Sequence, residues 1–350
     1  MDSWRKVSLA PDATLKRAIE VLNKEKPRIV LVVDKVDCLL GTVTDGDIRR
    51  ALLRNCSMGT CLDEVMNREP RVATLGEDKS IITERMIKYS LLQMPIVDEK
   101  KKIQGLETIR HSNEKQRYDN PVFIMAGGFG KRLRPLTEDI PKPLLKVGTK
   151  PILETIFDQF VECGFHDFYI STHYKAEMVR EHFGNGDKWG VTIHYIHEDT
   201  PLGTAGALGL LPDNLTNLPI LMMNGDLLTA VNYAHLLKFH HEQGGVASVC
   251  VREYDFQVPY GVIERNGYRI KNIIEKPIHK FFVNAGIYVL DQILVKKVDG
   301  KGYLDMPTLL EQSIESGKQV NMFPVHEYWL DIGRMKEYEQ AQTEIYELTR

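Results

Sequence analysis

From residue 121 onward, short apolar runs alternate with helix-like segments, and this alternation restricts the fold more than any other feature of the chain. Val122–Met125, Phe168–Ser171, Val191–Ile196 and Ile220–Met223 read as strands. Ile152–Cys163 and Lys175–Phe183 read as helices between them. Strands separated by helices argue for an α/β layered domain with a largely parallel sheet. Further on, Gly261–Glu264 and Ile270–Ile274 flank Asn266-Gly267, a strong hairpin signal. A helix over Lys336–Leu348 closes the chain.

The residues before 121 follow another pattern. Leu31-Val32-Val33-Asp34 leads to Gly41-Thr42-Val43-Thr44, and Pro95-Ile96-Val97-Asp98 leads to Gly105-Leu106-Glu107-Thr108 at an offset of 64. A helix-like segment precedes each copy, Thr14–Lys24 and Lys79–Tyr89, and Ile48–Arg54 follows the first. Two such small units must pack on each other to bury their apolar faces. The stretch His111–Asn120 is polar and aperiodic, as a linker is. The expected division is therefore a repeat module at 1–112, a linker at 113–120 and an α/β domain at 121–350.

Composition narrows the function classes. The 350 residues suffice for two domains with proper cores. A net charge of −3 gives no general attraction to nucleic acid or an anionic membrane. The five cysteines are odd in number and contain no C-x-x-C pair, which suits reduced thiols in the cytoplasm and no zinc site. The N-terminus lacks an apolar signal core, and no apolar run reaches the roughly 18 residues of a membrane span.

The chemistry concentrates after the first strand of the α/β part. Val122–Met125 empties into Ala126-Gly127-Gly128-Phe129-Gly130, followed by Lys131, Arg132, Arg134, Lys142 and Lys146. Glycines let backbone N–H groups approach an anion, and the cations suit a polyphosphate. The loop is neither a Walker P-loop nor a G-x-G-x-x-G fingerprint. Arg132 offers a planar fork of donors and Lys142 a mobile point charge, so these two are the candidates for a triphosphate. Asp226 ends the apolar strand in LMMNGDLL, where ligands sit in open α/β sheets, and supplies an oxygen ligand for a hard cation such as Mg²⁺.

GGFGKRLRPLT followed by PKPLLKVGTKPILE resembles the signature of the sugar-phosphate nucleotidyltransferases, with Lys131 where the family has Thr. The resemblance implies a Rossmann-like, mixed but mostly parallel sheet of the nucleotide-diphospho-sugar transferase type. It implies Mg²⁺-dependent joining of a nucleoside triphosphate to a sugar 1-phosphate with release of pyrophosphate. It assigns Ala126, Gly127, Gly128, Gly130 and Lys131 to the nucleotide, Arg132, Lys142 and Asp226 to catalysis, and Asp226 with Asp331 of YWLDIGR to the metal. HEDTPLGTAG is close to the segment of GDP-mannose pyrophosphorylases and related guanylyltransferases and adds Glu198, Gly203 and Thr204. A carboxylate at 198 can accept from guanine N1–H and N2–H₂, which favours GTP. Tyr260, Gly261, Glu275, Lys276 and Asn284 resemble the segments that hold the sugar and its phosphate.

In front, GTVTDGDIRRALL is similar to a CBS domain, and the repeat to a tandem CBS pair, the Bateman α+β module. Thr44 and Asp47 match the positions that hold an adenosine nucleotide, whereas His111 replaces the second Asp. For Asp47 a helix N-cap is the plainer alternative. The whole arrangement resembles the CBS-bearing glucosamine-1-phosphate guanylyltransferases of bacterial legionaminic acid synthesis. Mannose or heptose 1-phosphate, a uridylyl or thymidylyl donor, and an inactive nucleotide sensor stay open as alternatives. CBS pairs commonly dimerise, so a homo-oligomer is expected.

Overall fold

The computed structural model describes residues 3–89, 91–109 and 117–348. The chain divides into two compact units, Met1–Glu114 and Lys115–Arg350.

The first unit contains the repeat. In copy one, β1 (Ser8–Leu9) leads through α1 (Leu15–Lys24) to a hairpin of β2 (Val30–Val33) and β3 (Leu39–Val43), then α2 (Asp45–Leu53) and the short α3 (Leu62–Val65). In copy two, β4 (Ala73–Thr74), α4 (Lys79–Lys88), β5 (Gln93–Val97) and β6 (Ile103–Thr108) follow the same order. Each copy is a three-stranded sheet with its first strand parallel to the second and its second antiparallel to the third. Leu15, Ala18, Val21 and Leu22 form the buried stripe of α1, the spacing of an amphipathic helix. The copies share a core, since Val97 and Ile103 join the cluster built on Leu22, Val30 and Ile48. Their hairpin turns also pair, with Leu39 N donating to Lys101 O at 2.9 Å and Ile103 N to Asp37 O at 3.0 Å. His111 and residues 113–116 of the expected linker lie outside the described residues.

Two expectations need correction here. The helix expected from Ile48 begins at Asp45, so Thr44 is its N-cap and Asp47 lies inside the first turn. Asp47 still acts as a capping group, accepting from Thr44 N at 2.9 Å, which is one half of a capping box. The end of the expected linker belongs to the second unit. Tyr118 stacks on Phe165 with centroids 4.8 Å apart, and the buried Asn120 donates to Pro219 O at 2.8 Å. A polar composition concealed these two anchors.

The second unit opens with β7 (Val122–Met125). β8 (Lys146–Val147) and β9 (Lys150–Pro151) form a small ribbon before α5 (Ile152–Cys163), β10 (Asp167–Thr172), α6 (Ala176–Phe183) and β11 (Thr192–His197). α7 (Gly203–Gly206), β12 (Ile220–Asn224), β13 (Leu227–Thr229) and α8 (Tyr233–Gln243) follow. The remainder is β14 (Ala247–Gln257), β15 (Val262–Asn266), β16 (Arg269–Ile274), β17 (Ile278–Leu290), α9 (Gln292–Val295), α10 (Met306–Glu315), β18 (Val320–Val325), β19 (Trp329–Asp331) and α11 (Met335–Leu348).

Seven strands make the main sheet in the order β11-β10-β7-β12-β17-β14-β18. β11, β10, β7 and β12 are mutually parallel; β17 runs antiparallel to both β12 and β14. The central strands are apolar on both faces because both are covered. Val122, Ile124, Leu221 and Met223 face one core with Phe157 and Phe160 of α5 and Tyr233 of α8. Phe123, Ile220 and Met222 face the other with Leu309 and Leu310 of α10. β15 and β16 form the expected hairpin, with Gly267 at φ 59° in its turn.

Phe160 is fully buried and stacks on Tyr233 at 3.8 Å. Phe160→Ala is expected to lower the unfolding free energy of the second unit by about 3–5 kcal/mol, the usual cost of emptying an aromatic core site. Urea unfolding followed by tryptophan fluorescence checks this.

Candidate active site

The strand order reverses at β7. β10 and β11 lie to one side of it and β12 to the other, so the crevice at the carboxyl ends of β7 and β12 is a topological switch point, where ligands bind in open α/β sheets. The two strand ends are held together by Gly225, whose N–H donates to Met125 O at 2.8 Å. A Cβ at 225 would lie 2.4 Å from that oxygen, so only glycine allows the approach. After β7, Gly130 takes a left-handed φ of 62° and turns the chain into a single 3₁₀ turn, Lys131–Leu133. Leu133 enters the core while Lys131 and Arg132 stay exposed. At Gly128 an added Cβ would meet nothing within 4 Å, which leaves open space over the loop.

Four charged groups converge there from distant parts of the chain. Lys142 stands on a 3₁₀ turn between Pro141 and Pro143, and its Nζ donates to Asp226 Oδ2 at 2.5 Å. β13 pairs antiparallel with β19, matching Leu227 with Asp331. Ile332 N donates to Asp226 O at 3.0 Å. Asp226 and Asp331 therefore lie side by side. Arg132 Nη1 and Asp331 Oδ1 both come within 4.0 Å of the space beside Gly333. As a residue Asp331 is exposed. Even so, partial burial of its carboxyl, and then the charge of Asp226, hold its pKa above the usual carboxylate value against the pull of Lys142 and Arg132.

A pocket of about 270 Å³ fills the crevice, lined by Ala126, Gly127, Gly128, Lys142, Glu198 and Asp226 among others. Gly203 and Thr204 are on its wall too. Glu198 is 4 % exposed, accepts from the Ser171 hydroxyl, and accepts from Leu202 N at 2.9 Å. Both of its oxygens thus serve the fold in the free protein. The glycine at 203 serves close packing against the protein itself, because a Cβ there would lie 2.6 Å from Leu304 O. Thr204 N donates to Asp305 Oδ1 at 3.1 Å.

Other wall residues escaped the sequence reading. Asn224 lines the pocket with a buried Oδ1 that has no hydrogen-bond partner among the described residues. Its position just before Gly225-Asp226, at a strand end, was the available signal. Tyr303 and Asp305 come from the segment leading into α10, where Asp305 is the N-cap. An Asp preceding Met-Pro could have marked that helix start.

The remaining candidates are elsewhere. Tyr260, Gly261, Glu275 and Lys276 sit together where β14 and β17 give way to the β15–β16 hairpin. Lys276 N donates to Tyr260 O at 3.3 Å, and Glu275 Oε2 lies 2.9 Å from the Cβ position of Gly261. None of these four lines the pocket. Asn284 is tied more closely to it, because its Oδ1 accepts from Gly286 N, and Gly286 packs against Asn224. In the first unit, the Thr44 hydroxyl donates to Asp47 Oδ2 at 2.7 Å and Arg50 reaches Asp47 Oδ1 at 2.6 Å. This pair is satisfied within the protein.

Two adjacent carboxylates and the unpartnered Asn224 oxygen are hard oxygen donors, which fits a cation such as Mg²⁺ that takes one or two carboxylates and completes its shell with phosphate and water. No group of three or more His, Cys, Asp or Glu side chains suited to a metal occurs among the described residues. No described helix is long and apolar enough to cross a membrane.

The raised pKa of Asp331 has a sign that can be measured. In the window from the usual carboxylate pKa up to the raised one, the folded state binds more proton than the unfolded state, so this group's contribution to stability falls as pH rises. Asp331→Asn is expected to raise the melting temperature of the ligand-free protein at neutral pH, and the gain is expected to vanish at acidic pH where both states are protonated. Thermal shift measured across pH checks both limbs.

Comparison with known proteins identifies the family. A model of the nucleotidyl transferase family matches residues 122–347, and one of the CBS domain matches residues 3–54. The mannose-1-phosphate guanyltransferase of Schizosaccharomyces pombe is 31% identical over 229 residues, covering 62% of this chain and 62% of that protein. The catalytic subunit beta of mannose-1-phosphate guanylyltransferase from Drosophila melanogaster is 34% identical over 229 residues, covering 62% of this chain and 60% of that protein. The chain thus spans about three fifths of the length of the curated relatives it matches. The solved structure of HddC from Yersinia pseudotuberculosis has the same fold, with a TM-score of 0.50 at 24% identity over 65% of this chain and 99% of that one. Through residues 122–347, this chain belongs to the nucleotidyl transferase family.

Proposed function

We propose that the protein transfers a guanylyl group from GTP to a sugar 1-phosphate, giving a nucleoside diphosphate sugar and pyrophosphate. The observation that supports this most is the convergence of Arg132, Lys142, Asp226 and Asp331 beside the glycine turn at the switch point of the sheet. The triphosphate lies over Gly127 and Gly128, with open space at Gly128 and with Lys131 and Arg132 flanking it. An oxygen of the sugar phosphate attacks the α-phosphorus in line. The new P–O bond forms as the bond to the bridging oxygen breaks, and the electron pair leaves on pyrophosphate.

The main barrier is repulsion between anions, so the protein's task is charge and alignment. Arg132 and Lys142 take up charge as pyrophosphate forms. Lys142 also holds Asp226 in place through its short ion pair. Asp226 and Asp331, with Asn224, would hold Mg²⁺, which when bound neutralises phosphate charge. Ser171 and Leu202 N fix the carboxylate of Glu198 at the pocket wall, where it can accept from a guanine edge. Tyr260, Gly261, Glu275, Lys276 and Asn284 form the sugar-phosphate side. No covalent enzyme intermediate is required.

Glucosamine 1-phosphate is the first candidate acceptor, by the resemblance to enzymes of legionaminic acid synthesis. Mannose 1-phosphate is second, by the names of the relatives. Small pocket differences discriminate such sugars only modestly. In the first unit, an adenosine nucleotide at Thr44 and Asp47 would have to replace the Thr44–Asp47–Arg50 contacts and tune catalysis by binding two enzyme states unequally.

A pyrophosphate-release assay over a grid of nucleoside triphosphates and sugar 1-phosphates tests the reading. Turnover is expected with GTP and an aminohexose or hexose 1-phosphate; none with any pair would leave an inactive nucleotide sensor. Arg132→Ala is expected to cost about 100-fold or more in turnover with the fold intact by circular dichroism. Asp226→Asn is expected to abolish the Mg²⁺-dependent activity, read as pyrophosphate release across a Mg²⁺ titration.

A further inference from the structure

Lys142 and Asp226 meet in the crevice in a way that the reaction by itself does not require. Lys142 Nζ donates to Asp226 Oδ2 at 2.5 Å, and the two side chains are only 11% and 31% exposed. The same carboxylate is the one that would ligate a hard divalent cation, at about 2.0–2.1 Å for Mg²⁺. An ammonium at hydrogen-bond distance and a divalent cation at bonding distance repel each other across one carboxylate. One ammonium also cannot serve Asp226 and a phosphate fully at the same time. In the free protein Lys142 therefore stands where the metal's charge would act.

The root of Lys142 is fixed, whereas its ammonium can move. Pro141 and Pro143 flank the residue on its 3₁₀ turn and restrict the main chain. The Lys142 Cβ lies 3.1 Å from the Cβ position of Gly130, so the side chain starts at the left-handed corner of the glycine turn. From that root a long flexible stem carries a compact charge. Nζ can trade the carboxylate beyond β12 for a phosphate over the glycine loop with no movement of the backbone. The other oxygen donors stay in place: Asp331 beside Asp226, and the buried Asn224 Oδ1 with no hydrogen-bond partner among the described residues. Departure of Lys142 alone thus completes the donor set.

Charge sets the order of loading. Arg132 and Lys142 face Asp226 and Asp331, so the four converging groups are already balanced. A divalent cation arriving alone would add surplus positive charge beside a largely buried ammonium that has lost its partner, which is costly. A cation carried by a triphosphate brings more negative than positive charge, and it gives Lys142 a new partner. We infer that Lys142 is a resident counter-ion of Asp226, which keeps a divalent cation out of the free site and releases the carboxylate when a triphosphate takes up the ammonium. Metal and nucleotide then bind with positive coupling through one side chain. The triphosphate as the releasing ligand rests on the proposed reaction; the competition between Lys142 and a divalent cation does not.

Titration of manganese chloride alone into the full chain, followed by calorimetry, tests the competition. Lys142→Met keeps the stem and removes the charge. It is expected to bind Mn²⁺ about tenfold or more tightly than the wild type, because the unpaired carboxylate it leaves is relieved by the metal. Lys142→Gln, a second neutral variant, is expected to do the same, and adding Asp226→Asn to either is expected to remove the gain. Lys131→Met is expected to leave the affinity unchanged, since the Lys131 ammonium lies 5.1 Å from the Phe129 ring centroid. Mn²⁺ is also expected to raise the melting temperature of Lys142→Met more than that of the wild type. The factor by which Mn²⁺ tightens binding of a non-hydrolysable GTP analogue is expected to fall in Lys142→Met. Equal Mn²⁺ affinity in the wild type and a neutral variant folded by circular dichroism, or an equal gain in Lys131→Met, would overturn the inference. Tighter Mn²⁺ binding by Lys142→Met, with no binding of the analogue and no pyrophosphate release by the wild type, would leave the counter-ion standing and the proposed reaction refuted. Wild-type turnover with unchanged Mn²⁺ affinity in the variants would refute the counter-ion alone.

Discussion

The candidate site depends on the contact between the carboxyl ends of two parallel strands. Gly225 N donates to Met125 O, and the missing Cβ at 225 is what permits that distance. This brings the glycine loop that follows β7 against Asp226 that follows β12. Everything else in the crevice is added to that junction: Lys142 by its ion pair with Asp226, and Asp331 through the β13–β19 ladder. A strained or widened junction would separate the glycine loop from the carboxylates even if every side chain were kept.

The site concentrates unfavourable electrostatics that binding can relieve. The carboxyl of Asp331 stands beside that of Asp226, with its pKa raised by desolvation and then by that charge, and Asn224 presents an oxygen with no partner among the described residues. Such groups cost stability in the free protein, and they are what a site for a cation and a polyphosphate needs. The ion pair between Lys142 and Asp226 offsets part of that cost and keeps both groups oriented.

Much of the fold was legible because its signals are local. The span of α5, Ile152–Cys163, is the one read from apolar spacing, and the Asn266-Gly267 turn forms the expected hairpin. The 64-residue offset in the first unit corresponds to two sheets of equal order that share a core. Errors arose where a tertiary partner decided the outcome. Tyr118 looked like linker because its stacking partner, Phe165, is remote in sequence. The Gly203–Gly206 run suggested closeness to a ligand, yet much of that closeness is to the backbone of residues 302–304. Glu198 was legible as a pocket residue but not as one whose oxygens are engaged by Ser171 and Leu202.

By itself, the sequence determined the two-unit organisation, the α/β alternation, and the residue types able to hold a polyphosphate and a hard cation. These follow from periodicity, glycine content and charge, which act over a few residues. The resemblance had paired Asp226 with Asp331; the tertiary structure alone showed that the β13–β19 ladder brings them together, that Lys142 reaches Asp226, and that Asn224 completes the wall. It also decided that Tyr260, Glu275 and Lys276 ride on an arm outside the pocket, since strand pairing between distant segments has no local signature.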